Sequence, residues 1–126
     1  MPADYVIDPE RRLVHVRMWG VLTASDIRAI RRRLVEDTRL TPGFSELIDA
    51  RGATSIVEIT TNEIRSLAGE EIEPVSRRAF VTTNPAAYGL ARMFQTYRSI
   101  EDAPEQNEIF HDIEQAEAWL SGTAID

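Results

Sequence analysis

A chain of 126 residues is the length of one domain spanning residues 1–126, enough to bury roughly two-thirds of its unfolded surface around one core. Fourteen basic residues, every one arginine, face twenty-one acidic ones; the net charge of −7 argues against a dominant phosphate-backbone binding mode, so nucleic acid is not an expected partner. Without cysteine there are no disulfides, thiolate metal sites or thiol nucleophiles, and without lysine there is no Schiff-base chemistry and no phosphate-loop lysine. The N-terminal run has neither a basic start nor an apolar core segment and no stretch approaches a membrane span, which predicts a cytoplasmic protein with no transmembrane segment.

Residues 4–7 and 13–20 are predicted to form an opening β-hairpin, joined through Asp8-Pro9-Glu10-Arg11-Arg12 with Pro9 presetting a turn dihedral. In the second strand Val14, Val16 and Met18 alternate with His15, Arg17 and Trp19, giving one apolar face and one polar face with a lone indole. Trp19 is expected to be half covered by a side chain such as Arg17, or else to mark an isologous contact between subunits. Thr23-Ala-Ser-Asp26 has the form of a capping box, and Ile27, Ile30 and Leu34 recur on one face, so a helix is expected over 24–36. Its arginines suggest an anion site until they are placed on a helical wheel. There Arg28 and Arg32 point outward while Arg31 and Arg33 straddle the apolar stripe, which reads as a solvated face.

Thr41-Pro42-Gly43 breaks the chain, and residues 44–49 supply the next strand. The small, polar Ala50-Arg51-Gly52-Ala53-Thr54-Ser55 reads as a loop at the C-terminal edge of a parallel strand, where open α/β sheets place functional groups. Thr60-Thr61-Asn62-Glu63 is a capping box, with Ile59 and Ile64 spaced as a hydrophobic staple, so a second helix starts at Thr61 and buries Ile64, Leu67 and Ala68. Glu70, Glu71 and Glu73 read as an acidic loop in solvent.

Residues 79–82 are apolar, bounded by Arg77 and Arg78, and too short for a helix, hence a central strand. Asn84 can then cap a helix that carries Pro85 in its first turn. Ala87, Leu90, Ala91 and Phe94 form its core stripe, which Ala86, Met93 and Tyr97 widen. The extra flank packs either on an adjacent helix or at a dimer contact or ligand wall. Residues 107–110 form a short edge strand, Asp112 caps a last helix with Ile113, Ala116, Trp119 and Leu120 on its apolar side, and Gly122 ends it.

The element order is β-β-α-β-α-β-α-β-α. Right-handed crossovers then give a single-domain α/β fold: an open, mixed, mostly parallel sheet opened by the hairpin, with helices mainly on one face and Trp19 on the uncovered one. This order and several motifs resemble the SpoIIAA-like branch of the STAS superfamily, the anti-sigma-factor-antagonist fold, which is also compared with CRAL-TRIO lipid-binding domains. The matching pieces are Gly20-Val-Leu-Thr23 with Asp26, the strand ending Leu47-Ile48-Asp49, Arg78-Ala-Phe-Val81 with Tyr88-Gly89-Leu90-Ala91-Arg92-Met93, and Phe110 followed by Ala116 and Trp119-Leu120. Together they cover nearly all of residues 4–121. The resemblance implies a non-enzymatic regulatory or ligand-sensing module. Phosphorylatable STAS proteins carry Asp-Ser-Ser-Gly at a helix start, whereas the corresponding Asp49-Ala50-Arg51-Gly52 lacks both serines, which leaves Ser55, Thr60 and Thr61 as candidate phospho-acceptors.

Two functions follow. The first is a protein-interaction module, expected to self-associate as a homodimer, that uses Trp19, Met93 and Tyr97 or presents the 49–61 loop to a protein partner. The second is a binder of a small amphipathic, lipid-like anionic ligand, with its head at the Asn84-Pro85 helix start or Arg51 and its tail between the second and third helices. The candidate ligand residues are Asp49, Arg51, Asn84 and Tyr88. An enzyme is the remote third reading: there is no Gly-x-Ser-x-Gly elbow, and the only bases of suitable pKa, His15 and His111, sit mid-strand and before a helix cap. No cofactor and no metal site is expected, because His111-Asp112 cannot by itself close a coordination shell.

Overall fold

Short polar side chains start every helix where the sequence places them. In the computed structural model, which describes residues 2–56 and 59–122, the amide of Asp26 donates to Thr23 Oγ1, and the Asp26 carboxylate accepts from the Thr23 amide, opening helix α1 (Ala24–Glu36). Thr60 and Glu63 repeat the device at α2 (Thr61–Gly69). Asn84 Oδ1 accepts from the amides of Ala86 and Ala87 at α3 (Pro85–Ile100), and Asp112 accepts from the Gln115 amide at α4 (Ile113–Leu120). Each cap satisfies amides that the helix itself cannot.

The strands are β1 (Ala3–Asp8), β2 (Leu13–Leu22), β3 (Phe44–Ile56), β4 (Val75–Val81) and β5 (Gln106–Phe110), in the spatial order β1-β2-β3-β4-β5. β1 runs antiparallel to β2, and the other neighbours are parallel. The two-residue period sorts each strand between two layers. Val14, Val16, Ile48 and Phe80 face α1, α2 and α3, while Leu47, Ala79 and Val81 face α4. α4 packs on β3, β4 and β5, helped by Arg77, which donates to the Trp119 carbonyl and lies over its indole. The helices thus gather mainly on one face. The half of the other face built by β1 and β2 stays open, with Val6 71% and Trp19 42% exposed. Arg17 sits 5.9 Å from the Trp19 ring centroid, the partial cover expected of it.

Four local expectations are corrected. Residues 50–55 are not a loop: β3 runs on to Ile56 because its backbone pairs with β2, Trp19 opposite Gly52 and Gly20 opposite Ala53, through two irregularities in register that absorb the small residues. Gly20 takes a φ of +70 there, a conformation that favours glycine. β4 begins at Val75 rather than Ala79, so Arg77 and Arg78 lie inside the sheet, pointing to opposite layers. Glu73 is 5% exposed and faces Arg78 instead of solvating a loop. Arg31 does not join a solvated face: its guanidinium donates to the Leu67 carbonyl and lies 5.5 Å from the Phe94 centroid.

Among the described residues no helix is long and apolar enough to cross a membrane. Thr60→Ala is expected to cost about 1 kcal/mol, measured as a lowered urea midpoint at unchanged slope, because it removes the acceptor for the Glu63 amide. The neighbouring exposed Thr61→Ala should stay within about 0.5 kcal/mol.

Candidate functional site: a cavity with a charged floor

β3 and β4 pair with Glu46 opposite Arg78 and Ile48 opposite Phe80, so two ionisable side chains share the inward face with two large apolar ones. Arg78 is 1% exposed and Glu46 0%. Arg78 Nε donates to Glu46 Oε1 at 2.5 Å, and Nη1 donates to Asn107 Oδ1 at 2.8 Å while lying 3.4 Å from Glu105 Oε2. Nη2 is 3.7 Å from Glu73 Oε2, too far for a hydrogen bond. Arg98, on α3, grips Glu105 with Nε and Nη2 at 2.6 and 2.7 Å and donates from Nη1 to the Ala68 carbonyl. Two guanidiniums lie near the Phe94 ring, Arg31 at 5.5 Å and Arg78 at 5.8 Å from its centroid.

This cluster floors a cavity of about 120 Å³ enclosed by β2, β3 and β4 and by α1, α2 and α3. Its walls are apolar, with Val16, Ile30, Ile48, Ile64, Leu67 and Ala91 among them. The half-buried Ile27, Ala50, Ile56 and Leu90 lie at the opposite end from the charges, by the C-terminal ends of the parallel strands. Open α/β sheets bind ligands at that edge.

The floor is not self-sufficient. With both carboxyls ionised, Glu46 Oε2, Glu73 Oε1 and Arg78 Nη2 are buried without a hydrogen-bond partner; a proton on Glu46 pairs its carboxyl with Glu73 and leaves Arg78 Nη2 as the orphan. A buried polar atom left this way costs roughly 1–3 kcal/mol. Burial, then the neighbouring Glu73 charge, push the Glu46 carboxyl well above its ordinary value, and the Arg78 charge opposes them without prevailing. Burial also raises Glu73, but Arg78 and a hydrogen bond from Glu46 outweigh it and hold Glu73 low. Of the two, Glu46 therefore holds a proton more tightly than Glu73 does. Glu105 is pulled down to about 2: burial opposes the shift, while hydrogen bonds from Arg98 and Asn107 and the Arg78 charge overcome it.

The residues that the sequence singled out are not brought together here. Asp49 and Arg51 lie on the other face of the sheet, the α4 side, and pair with each other at 2.8 and 2.9 Å, Arg51 holding the Asp49 carboxyl low. With Arg17, Trp19 and Gly52 they line a shallow cleft. Asn84 spends its side-chain oxygen on the α3 cap, and Tyr88 stacks on His111 with centroids 5.5 Å apart. His111 Nδ1 is 3.1 Å from the Thr82 carbonyl oxygen. Met93 and Tyr97 pack against the Ile64 and Leu67 side of α2, and Arg65 lies over the Tyr97 ring. Ser55 and Thr61 are exposed, and Thr60 Oγ1 is engaged by the Glu63 amide; residues 57 and 58 of the 49–61 segment lie outside the described residues.

Glu46, Glu73 and Arg78 are the groups that sequence reasoning missed. A signal existed for two of them: Glu46 shares its strand face with Phe44 and Ile48, and Arg78 shares one with Phe80, so each is an ionisable residue on an apolar face. Glu73 gives no such signal, since nothing in Glu70-Glu71-Ile72-Glu73-Pro74 separates a buried glutamate from solvated ones.

The shifts fix a pH dependence. Glu46 binds a proton more tightly folded than unfolded, so its contribution is full below its ordinary 4.5 and is lost as pH rises toward its raised value. Glu73 and Glu105 act in the opposite sense, contributing above their ordinary 4.5 and losing that contribution as pH falls toward their depressed values. Urea midpoints measured from about pH 4 to about pH 9 should therefore decline on the alkaline side, and Glu46→Gln should flatten that decline while leaving the acid limb in place.

No protein-family profile matches the chain, and no curated protein does. Among solved structures the chain is similar to an uncharacterised protein from the DUF3478 family with a SpoIIAA-like fold, from Shewanella loihica PV-4. The two superpose with a TM-score of 0.58 over 94% of this chain and 93% of that one, at 17% sequence identity. At that identity the likeness is one of architecture: the protein has a SpoIIAA-like fold, a five-stranded, mostly parallel sheet with four helices, as its order of elements and motifs implied.

Proposed function

We propose that this protein is a non-enzymatic, STAS-like regulatory module that binds a small amphipathic molecule, its apolar body in the cavity between the sheet and α1–α3 and its polar head on the floor made by Glu46, Glu73 and Arg78. The supporting observation is that Arg78, whose buried Nη2 has no hydrogen-bond partner, lines an apolar cavity together with Glu46 and Glu73. A purely structural ion cluster satisfies its members, because an incomplete one is less favourable than an apolar core. A ligand head would complete it. The head site thus moves away from Arg51 and Asn84, whose side chains are spent on Asp49 and on the α3 cap. The described cavity lining contains no hydroxyl and no imidazole, which favours binding over nucleophilic chemistry.

A second reading, self-association, draws on the open half of the sheet, where Val6 and Trp19 are exposed on the face that α4 does not cover. An apolar patch of this kind on an otherwise charged surface suits an isologous contact with a second copy or a protein partner.

Native mass spectrometry of freshly purified protein tests both. A bound small molecule should add mass that disappears on denaturation, and Ala91→Phe, which fills the cavity, should remove it. A bare wild-type mass, together with no thermal stabilisation by benzene, would rule out the cavity as a ligand site. For self-association the wild type should appear as a dimer at micromolar concentration and Trp19→Ala should shift it toward monomer; identical subunit counts for the two proteins would exclude this face.

A further inference from the structure

The floor of the cavity also constrains the chemistry of the head. The charged groups around it are Arg31 from α1, Glu46 from β3, Glu73 from the segment before β4, Arg78 from β4, Arg98 from α3, and Glu105 from the turn before β5, while β2 and α2 line the cavity with apolar side chains. Glu70, beyond α2, is committed at the surface to Arg28 and Ser66. If Glu46 were ionised, three carboxylates would balance three guanidiniums, and an ammonium head would add an unmatched positive charge. With Glu46 protonated, one positive charge is in excess, and an anionic head restores balance. Hydrogen bonding gives the same preference. Arg78 Nη2 can only donate, so it needs an acceptor, and an ammonium head offers none. A carboxylate supplies the acceptor that Nη2 lacks.

Resting on the cavity being a ligand site, we propose that the ligand is a small monocarboxylic acid, bound with its carboxylate accepting from Arg78 Nη2 and with its hydrocarbon body against the apolar walls. The raised Glu46 carboxyl is consistent with this, since burial already keeps the proton in place before the ligand arrives. The volume suits a short chain or a single ring: an apolar cavity of ~150 Å³ is known to accept benzene, and this one is about 120 Å³. A long fatty acid does not fit within it.

Isothermal titration calorimetry of the intact protein near neutral pH, with hexanoate, hexylamine and hexan-1-ol as probes, separates the possibilities. Hexanoate should bind at least about tenfold more tightly than either of the others. Glu46→Gln should keep hexanoate affinity within about threefold, because the amide N–H donates where the acid proton did. Arg78→Gln should lose at least about tenfold for hexanoate and keep hexan-1-ol unchanged. Should Arg78→Gln fail to fold, the Glu46→Gln arm still decides. Hexylamine or hexan-1-ol binding as tightly as hexanoate would overturn the carboxylate assignment while leaving the cavity a ligand site, and so would a loss of more than about tenfold in Glu46→Gln. Failure of all three probes to bind folded wild type would overturn the cavity reading and this one with it.

Discussion

The burial of one guanidinium, that of Arg78, organises the interior. Arginine cannot shed its charge in a protein, so a side chain 1% exposed in the middle of a sheet forces other groups to come to it. Three carboxyl groups do, from β3, from the segment leading into β4 and from the turn before β5, with Asn107 taking a further N–H. The cluster ties strand register to electrostatics. A slip of one residue in β4 would turn Arg78 and Phe80 toward α4 and bring Arg77 or Ala79 opposite Glu46, so the apolar period and the ion pair together specify the register with Glu46 opposite Arg78.

The same cluster explains why the apolar space beside it stays unfilled. Phe94 lies against the guanidiniums of Arg31 and Arg78, and Arg98 is anchored by Glu105 and the Ala68 carbonyl, contacts that hold α3 where the gap remains. α2 in turn is braced against the Met93 and Tyr97 flank of α3. The helix surface that looked too wide for one neighbour is therefore shared between the sheet and α2. In the resulting low-dielectric enclosure, hydrogen bonds to charged groups strengthen and unpaired ones become more costly. A void beside an incomplete ion cluster is thus a coherent pair of features, since one molecule can fill the first and complete the second.

The two halves of the sheet differ in the same economical way. α4 covers β3, β4 and β5 through Leu47, Ala79, Val81 and Ala116, while β1 and β2 keep a face of Asp4, Val6, His15, Arg17 and Trp19. On that face Arg17 shields part of the indole, and Asp49 and Arg51 neutralise each other. The Asp49–Arg51 ion pair thus sits on a strand, with both side chains on the sheet face opposite the cavity.

Much of the architecture was legible in the chain because it is encoded locally. Capping boxes at Thr23 and Thr60, Asn84 before Pro85, and the alternation of Val14, Val16 and Met18 each state an element within a few residues, and their order implies the mostly parallel sheet. What local pattern could not supply was partnership. The Gly52 segment looks like a loop until β2 offers it a ladder, Glu73 looks solvated until Arg78 lies across from it, and Arg31 looks surface-bound until Phe94 and the Leu67 carbonyl receive it. The amino-acid sequence by itself determined where the helices begin and the order of helices and strands, because caps and two- or 3.6-residue periods act over one turn. Only the tertiary structure decided which charges meet, and so where the candidate site lies, because that depends on side chains separated by tens of residues sharing one desolvated space.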